Sequence, residues 1–211
     1  MIASREYVKD LMTKVLRKKD EYLDLTAAEI RPYGNQSVRI HTGINIDDIS
    51  DPVYEIKINP ITIPQFLTFG FTAYRDENTD TFRVIDNSGK FLVYNFVKAG
   101  GGGTSIGSYT KGMEMTIIFK QGLLKVNSES YTFSQSPYAT HYNSEIIFAD
   151  GGLSTTAILY YYGKLYDGDK LLMHLIPKRR NSDNVVGFYD LVSKRFFEPP
   201  VSCNGRYYGV L

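Results

Sequence analysis

Leu175-Ile-Pro-Lys-Arg-Arg-Asn-Ser-Asp-Asn-Val-Val-Gly-Phe-Tyr-Asp-Leu-Val-Ser-Lys-Arg-Phe-Phe-Glu198 reads as strand, polar turn, strand, tight turn and strand. The apolar run Leu171 to Ile176 is closed by Pro177, which has no N–H to give a continuing ladder. Lys178 to Asn184 is polar and ends in Asn181, Ser182, Asp183 and Asn184, side chains that hydrogen-bond their own backbone in turns. Val185 to Tyr189 is short, apolar and β-prone, with Gly187 where a bulge or a close backbone approach fits. Asp190 opens a second turn, and Arg195-Phe-Phe197 returns. Arg179, Arg180 and Asp190 read as turn and hairpin residues, so the stretch is scaffold.

Upstream, the same grammar repeats. Ser37 to Thr42 and Val53 to Ile58 alternate, Phe66 to Tyr74 is a longer apolar-rich strand, and Pro60 and Pro64 punctuate the interval. Thr81 to Ile85 and Lys90 to Val97 flank the hairpin turn Asp86-Asn-Ser-Gly89. Met113 to Lys120, Leu123 to Val126 and Ser130 to Phe133 form a meander with turns at Gln121-Gly122 and Asn127-Ser128. Glu145 to Ala149, Thr156 to Tyr166 and Lys170 to Ile176 complete the run, the last two joined by Asp167-Gly-Asp169. About a dozen short strands with no helix between them exclude a parallel βαβ sheet and predict an all-β, two-sheet antiparallel sandwich.

Composition agrees. Seventeen Tyr and twelve Phe with no Trp, in a chain of 211 residues that is 43% hydrophobic, suit one β domain with a real core. The net charge of +1 gives no electrostatic case for nucleic acid or an anionic membrane. Cys203 stands alone, which excludes an internal disulfide and a multi-cysteine metal site. No apolar run approaches the roughly 18 residues of a membrane span. The N-terminus has no signal-peptide core, since Lys9, Asp10 and Lys14 interrupt it. A soluble protein made in a cytoplasm is expected.

One helix is predicted, from Ser4 to Leu23. Ser4 can cap it, Glu6 suits its first turn, and Val8, Leu11, Met12, Val15 and Leu16 recur at helical spacing. The division expected is an anchoring or oligomerising helix over 1–25, a connector over 26–36 containing Pro32 and Gly34, and a sandwich over 37–211. The helix either packs on its own domain or docks elsewhere, and its charged run Lys14 to Lys19 reads as a solvated face.

Catalytic patterns are sparse. Glu55, Glu114 and Glu145 each lack an acidic partner two residues away, so the converging carboxylates of a glycosidase are not apparent. His41, His141 and His174 are far apart, and no metal site or serine triad follows from them. Asp150-Gly-Gly152 and Asp167-Gly-Asp169 read as turns rather than Ca²⁺ loops. Ala99 to Gly107, with Gly100 to Gly103 at its centre, lacks the Lys-Ser/Thr and helix start of a phosphate cradle and reads as a flexible loop. No cofactor is expected. The tyrosines carry more: in Tyr160-Tyr-Tyr162, strand alternation puts Tyr160 and Tyr162 on one face and Tyr161 on the other. Such rings serve either packing or a saccharide or protein contact surface.

Thr156-Ala-Ile-Leu-Tyr-Tyr-Tyr-Gly-Lys-Leu-Tyr-Asp167, followed by Leu171 to Phe197 with its Ile-Pro and Gly-Phe-Tyr-Asp-Leu-Val runs, resembles the end of concanavalin A-like (laminin G-type) jelly-roll domains. The similar domains occur in structural proteins of bacteriophages and in surface proteins of gut bacteria. The match covers Thr156 to Pro200; Ser37 to Gly43 and Tyr54 to Ile58 match the opening strands loosely. After Phe197 the usual glycine- and asparagine-containing ending is replaced by Glu198-Pro-Pro-Val-Ser-Cys203, which leaves the terminal strands open to rearrangement. The resemblance implies a non-enzymatic virion component: a fibre, tail or capsid-decoration subunit. It would sit in the virion, join other virion proteins through the helix, and form a homo-oligomer, with a trimer preferred. Host-surface glycan is the implied ligand, and Tyr160 and Tyr162 are the candidate contacts. The alternatives are a stand-alone lectin-like protein and, less favoured, a glycoside hydrolase.

Overall fold

The computed structural model describes residues 21–31, 39–62, 68–76, 79–95, 103–133, 145–148, 157–198 and 206–210. Among them the chain forms β1 (Tyr22–Asp24), β2 (Ala27–Arg31), β3 (Ile40–Asn45), β4 (Pro52–Pro60), β5 (Phe71–Asp76), β6 (Thr79–Asp86), β7 (Phe91–Asn95), β8 (Thr104–Ile106) and β9 (Met115–Lys120). It continues with β10 (Leu123–Val126), β11 (Glu129–Thr132), β12 (Glu145–Phe148), β13 (Ile158–Asp167), β14 (Lys170–Arg180), β15 (Val186–Asp190), β16 (Phe196–Phe197) and β17 (Arg206–Val210). The larger sheet runs β11-β10-β9-β4-β13-β14-β15-β16, with β1, β2 and β17 added to its middle, and the smaller runs β3-β12-β5-β6-β7-β8. All pairings are antiparallel. The fold is a two-sheet antiparallel sandwich, compatible with a jelly roll. No helix among the described residues is long and apolar enough to cross a membrane.

Alternation builds the core. Along β4, Pro52, Tyr54, Ile56, Ile58 and Pro60 are buried while the residues between them are not. Tyr54 meets Phe119 of its own sheet at 5.3 Å and Phe82 and Phe71 of the other at 5.6 and 5.9 Å, so aromatic rings bridge the two layers. Fully burying one such ring contributes roughly 1.5–3 kcal/mol.

Pro177 does not end its strand as the sequence suggested. Leu175 pairs with Gly163 of β13 on one edge of β14 and with Asp190 of β15 on the other. Two residues on, that register would set Pro177 opposite Tyr161, where it has no N–H to donate. Here β13 and β14 separate. The gap takes β1 on the β14 side, Lys178 opposite Asp24, and β2 on the β13 side, Ala28 opposite Tyr160. The Leu25 N–H donates to the Pro177 carbonyl at 3.3 Å. The proline forks the sheet rather than closing it, and the polar turn shortens to Asn181–Asp183.

That fork corrects two further expectations. Tyr22 and Leu23, read as the end of the helix, lie in β1, and residues 27–31, read as connector, form β2. Tyr22 gains the rings of Phe196 at 5.0 Å and Tyr189 at 5.1 Å, partners no local helix could give it. Val8, Leu11, Met12, Val15 and Leu16 lie outside the described residues, as do His141, Cys203 and the glycines at 100–102. After the stretch matched by the resemblance the chain forms β17, which pairs with β2 from Arg206 opposite Arg31 to Val210 opposite Ala27.

The second turn of the opening stretch is built as expected. Asp190 is fully buried. Its Oδ1 accepts from the backbone N–H of His174 (2.7 Å) and Val192 (3.1 Å), and its Oδ2 from that of Ser193 (2.9 Å). These donors hold its carboxyl below the usual range despite burial. Lys194 takes the left-handed conformation (φ 61°) and closes the turn through its N–H to the Asp190 carbonyl.

Candidate functional site

Strand β13 carries an irregularity where its tyrosines lie. Tyr160 pairs with Ile58 of β4 but Tyr162 pairs with Lys57, so Tyr161 is an inserted residue. The bulge shifts the phase of the strand: Ile158 and Tyr160 point inward before it, Gly163 and Leu165 after it, and Tyr161 and Tyr162 between them are both half-buried. The expectation that Tyr160 and Tyr162 share a face is therefore overturned. Tyr160 is 1% exposed. Its hydroxyl donates to the Thr68 carbonyl at 3.1 Å, and its ring packs against Phe148 at 5.2 Å. A ligand on the outer surface cannot reach it.

Tyr162 remains, and the fold brings it companions. Its hydroxyl donates to Glu55 Oε1 at 2.6 Å, and Lys164 Nζ donates to the same oxygen at 3.1 Å. The Lys164 ammonium stands 4.8 Å from the Tyr162 ring centre, and His174 meets that ring edge-on at 6.3 Å. Beside it, Tyr161 hydrogen-bonds Glu114 and Asn59, while Lys57 pairs with Glu114 at 2.6 Å and lies 5.1 Å from the Tyr161 ring centre. Two tyrosines, two lysines and two glutamates thus alternate over one patch of the larger sheet's outer face.

The electrostatics fix the roles of the patch's groups: its tyrosine hydroxyls stay donors and Glu114 stays an acceptor. Burial, and then the hydrogen bond to a glutamate, pushes both tyrosine hydroxyls up, so they stay protonated donors. Lys57 holds the Glu114 carboxyl below its ordinary value, the wrong direction for a general acid. His174 is pushed down, first by burial and then by Lys164, against the opposing pull of Asp190 and Glu55. The unfolded chain binds this proton more readily than the folded one, so stability is lost as pH falls below about 6.5. His174→Gln should flatten that part of a Tm-versus-pH curve, measured by calorimetry between pH 7 and 5. An unchanged slope would remove His174 from the account.

Elsewhere His41 Nδ1 meets Glu145 Oε2 at 2.8 Å, and the Tyr109 hydroxyl donates to buried Asp86 at 2.5 Å. Asp86 also accepts from the N–H groups of Ser88 and Gly89, a hairpin-turn role. Among the described residues no three His, Cys, Asp or Glu side chains gather to hold a metal. The sequence offered one signal for the tyrosine patch, the outward Glu55 and Lys57 of an alternating strand. It gave none for the bulge that sets Tyr161 beside Tyr162.

Fold and patch together define an all-β sandwich with a polar, aromatic sheet face. No protein-family model matches the chain, and no curated protein matches it.

Proposed function

We propose that this chain is a non-enzymatic structural subunit of a bacteriophage virion, with a concanavalin A-like sandwich whose tyrosine face contacts host-surface glycan. The bulge at Tyr161 carries the binding part: it turns two adjacent rings outward among paired carboxylates and ammoniums. Flat apolar faces edged by fixed hydrogen-bonding groups suit sugar rings, and tyrosines with two torsions lose little entropy on contact. The virion part rests on the resemblance over Thr156 to Pro200. A fibre, tail or decoration subunit would use residues 1–20 to join other virion proteins or further copies of itself, as a trimer for preference.

Mass spectrometry of purified particles tests the virion assignment, and absence of the chain from intact particles sinks it. A glycan array tests the face. Tyr162→Ala should weaken any bound glycan roughly tenfold, the worth of one aromatic contact of about 1.4 kcal/mol. Tyr161→Ala should act in the same direction, while Tyr160→Phe should leave binding unchanged. Equal binding by all three variants and the parent would refute the assignment of the tyrosines.

A further inference from the structure

A second feature lies on the same outer face, one step along β4 from Glu55. It is a hollow of about 300 Å³ lined by Asp51, Val53, Ile118, Lys120, Leu123, Lys125, Gly168 and Asp169. Its floor is apolar, since Val53, Ile118 and Leu123 are half-buried outward residues of β4, β9 and β10. Its two walls carry opposite charge.

The basic wall is the β9–β10 hairpin. Lys120 pairs with Leu123 and Lys125 with Ile118, which sets both lysines on the face that bears the floor. Both are exposed. The acidic wall is the start of β4 and the β13–β14 turn, latched together. Asp167 Oδ1 accepts from the Ser50 N–H (3.0 Å), the Ser50 hydroxyl (2.8 Å) and the Asp51 N–H (2.9 Å), and the Gly168 N–H donates to the Asp51 carbonyl at 2.8 Å. These donors keep Asp167 ionised. The latch engages Asp167, leaving the carboxylates of Asp51 and Asp169 at the rim. Among the described residues no ion pair engages Lys120, Lys125, Asp51 or Asp169. The walls therefore do not neutralise each other across the gap.

We infer that this hollow binds an acidic monosaccharide unit, its carboxylate between Lys120 and Lys125 and its hydroxyls donating to Asp51 and Asp169. The size is at the low end of ligand pockets (roughly 300–1,000 Å³), suited to one sugar ring. An apolar floor takes the C–H face of a pyranose. A wall of ammoniums selects the anion, and a wall of carboxylates accepts hydroxyl protons but repels a second anion. A simple anion would use half of this arrangement, and a neutral sugar the other half. Two residues along β4 span about 7 Å, so a chain seated here has Tyr162 within reach of its next ring. The site itself does not depend on the tyrosine face binding anything.

The test is a ¹H–¹⁵N chemical-shift titration of the full chain with glucuronate, galacturonate, glucose and acetate. The uronates should give saturable shifts at 118–125 and 167–169, with glucose and acetate at least about tenfold weaker, the worth of losing one charge-assisted contact. Lys120→Ala/Lys125→Ala should weaken uronate roughly tenfold or more, and added NaCl should weaken it in the parent. Asp169→Asn should also weaken it. Circular dichroism of each exposed-site variant checks that it folds. Absent or unsaturable shifts, equal binding of glucose or acetate, or indifference to the lysine pair would overturn the inference. Tighter binding by Asp169→Asn would overturn the role given to the acidic wall. Shifts confined to residues around Tyr161 and Tyr162 would overturn this site while leaving the tyrosine face standing.

Discussion

Asp190→Ala should lower the unfolding free energy by about 3–5 kcal/mol, read as a shift in the urea midpoint. The carboxylate is fully buried and accepts from three backbone N–H groups, those of His174, Val192 and Ser193. Alanine would leave all three part-buried donors without that acceptor, and an orphaned donor costs up to roughly 1–3 kcal/mol when fully buried. Partial entry of water keeps the total below the simple sum. Asp190→Asn retains one carbonyl acceptor and should fall between alanine and the parent. The pH dependence adds a second reading. The folded-state pKa lies below the unfolded value, so the contribution is present above about pH 4 and is lost as pH falls through the folded value. Both variants should lose that part of the acid transition. A loss under about 1 kcal/mol for Asp190→Ala would show that the turn stands without its carboxylate.

Gly187→Ala should cost about 3 kcal/mol for a different reason. A Cβ at this position would lie 2.4 Å from the Phe197 carbonyl oxygen and 2.8 Å from Phe196 Cζ. The first neighbour is backbone in the strand paired with β15, so it cannot rotate away; β16 must move. Phe196 stacks on Tyr22 and lies under the Arg180 guanidinium, which also pairs with Asp183 and Glu198. Displacing it should loosen β1 as well, so amide exchange at Tyr22–Asp24 should quicken beyond the global change in stability. Gly112→Ala is the contrast. It has open space around its Cβ position but a φ of 79°, so it should cost only about 1 kcal/mol of backbone strain. Equal losses at the two glycines would refute the close-approach argument.

These two residues show how much of the opening stretch was legible. Asp190 as a turn former and Gly187 as a site of close approach follow from residue type and neighbours alone, because turn chemistry is local. The returning Phe196–Phe197 was legible for the same reason. Pro177 was half legible. Its missing N–H was evident, but whether that ends a strand or forks a sheet depends on which strands lie at its two edges. The strand residues between Tyr22 and Arg31 were misassigned because what recruits them, the edges freed by that fork and the rings of Tyr189 and Phe196, lies more than 120 residues away.

The sequence by itself determined an all-β antiparallel sandwich, most of its strands and the closing turns, because period-two alternation and turn residues are short-range properties. Tertiary structure alone decided the surface. One inserted residue at Tyr161 broke the facing that alternation assigns, leaving Tyr160 buried and turning Tyr162 out beside Tyr161. Register then chose the companions: Glu55 and Lys164 for Tyr162, Glu114 and Lys57 for Tyr161, and the opposed lysines and aspartates of the hollow. Side chains that meet across strands are far apart in the chain, and only the pairing of those strands makes them neighbours.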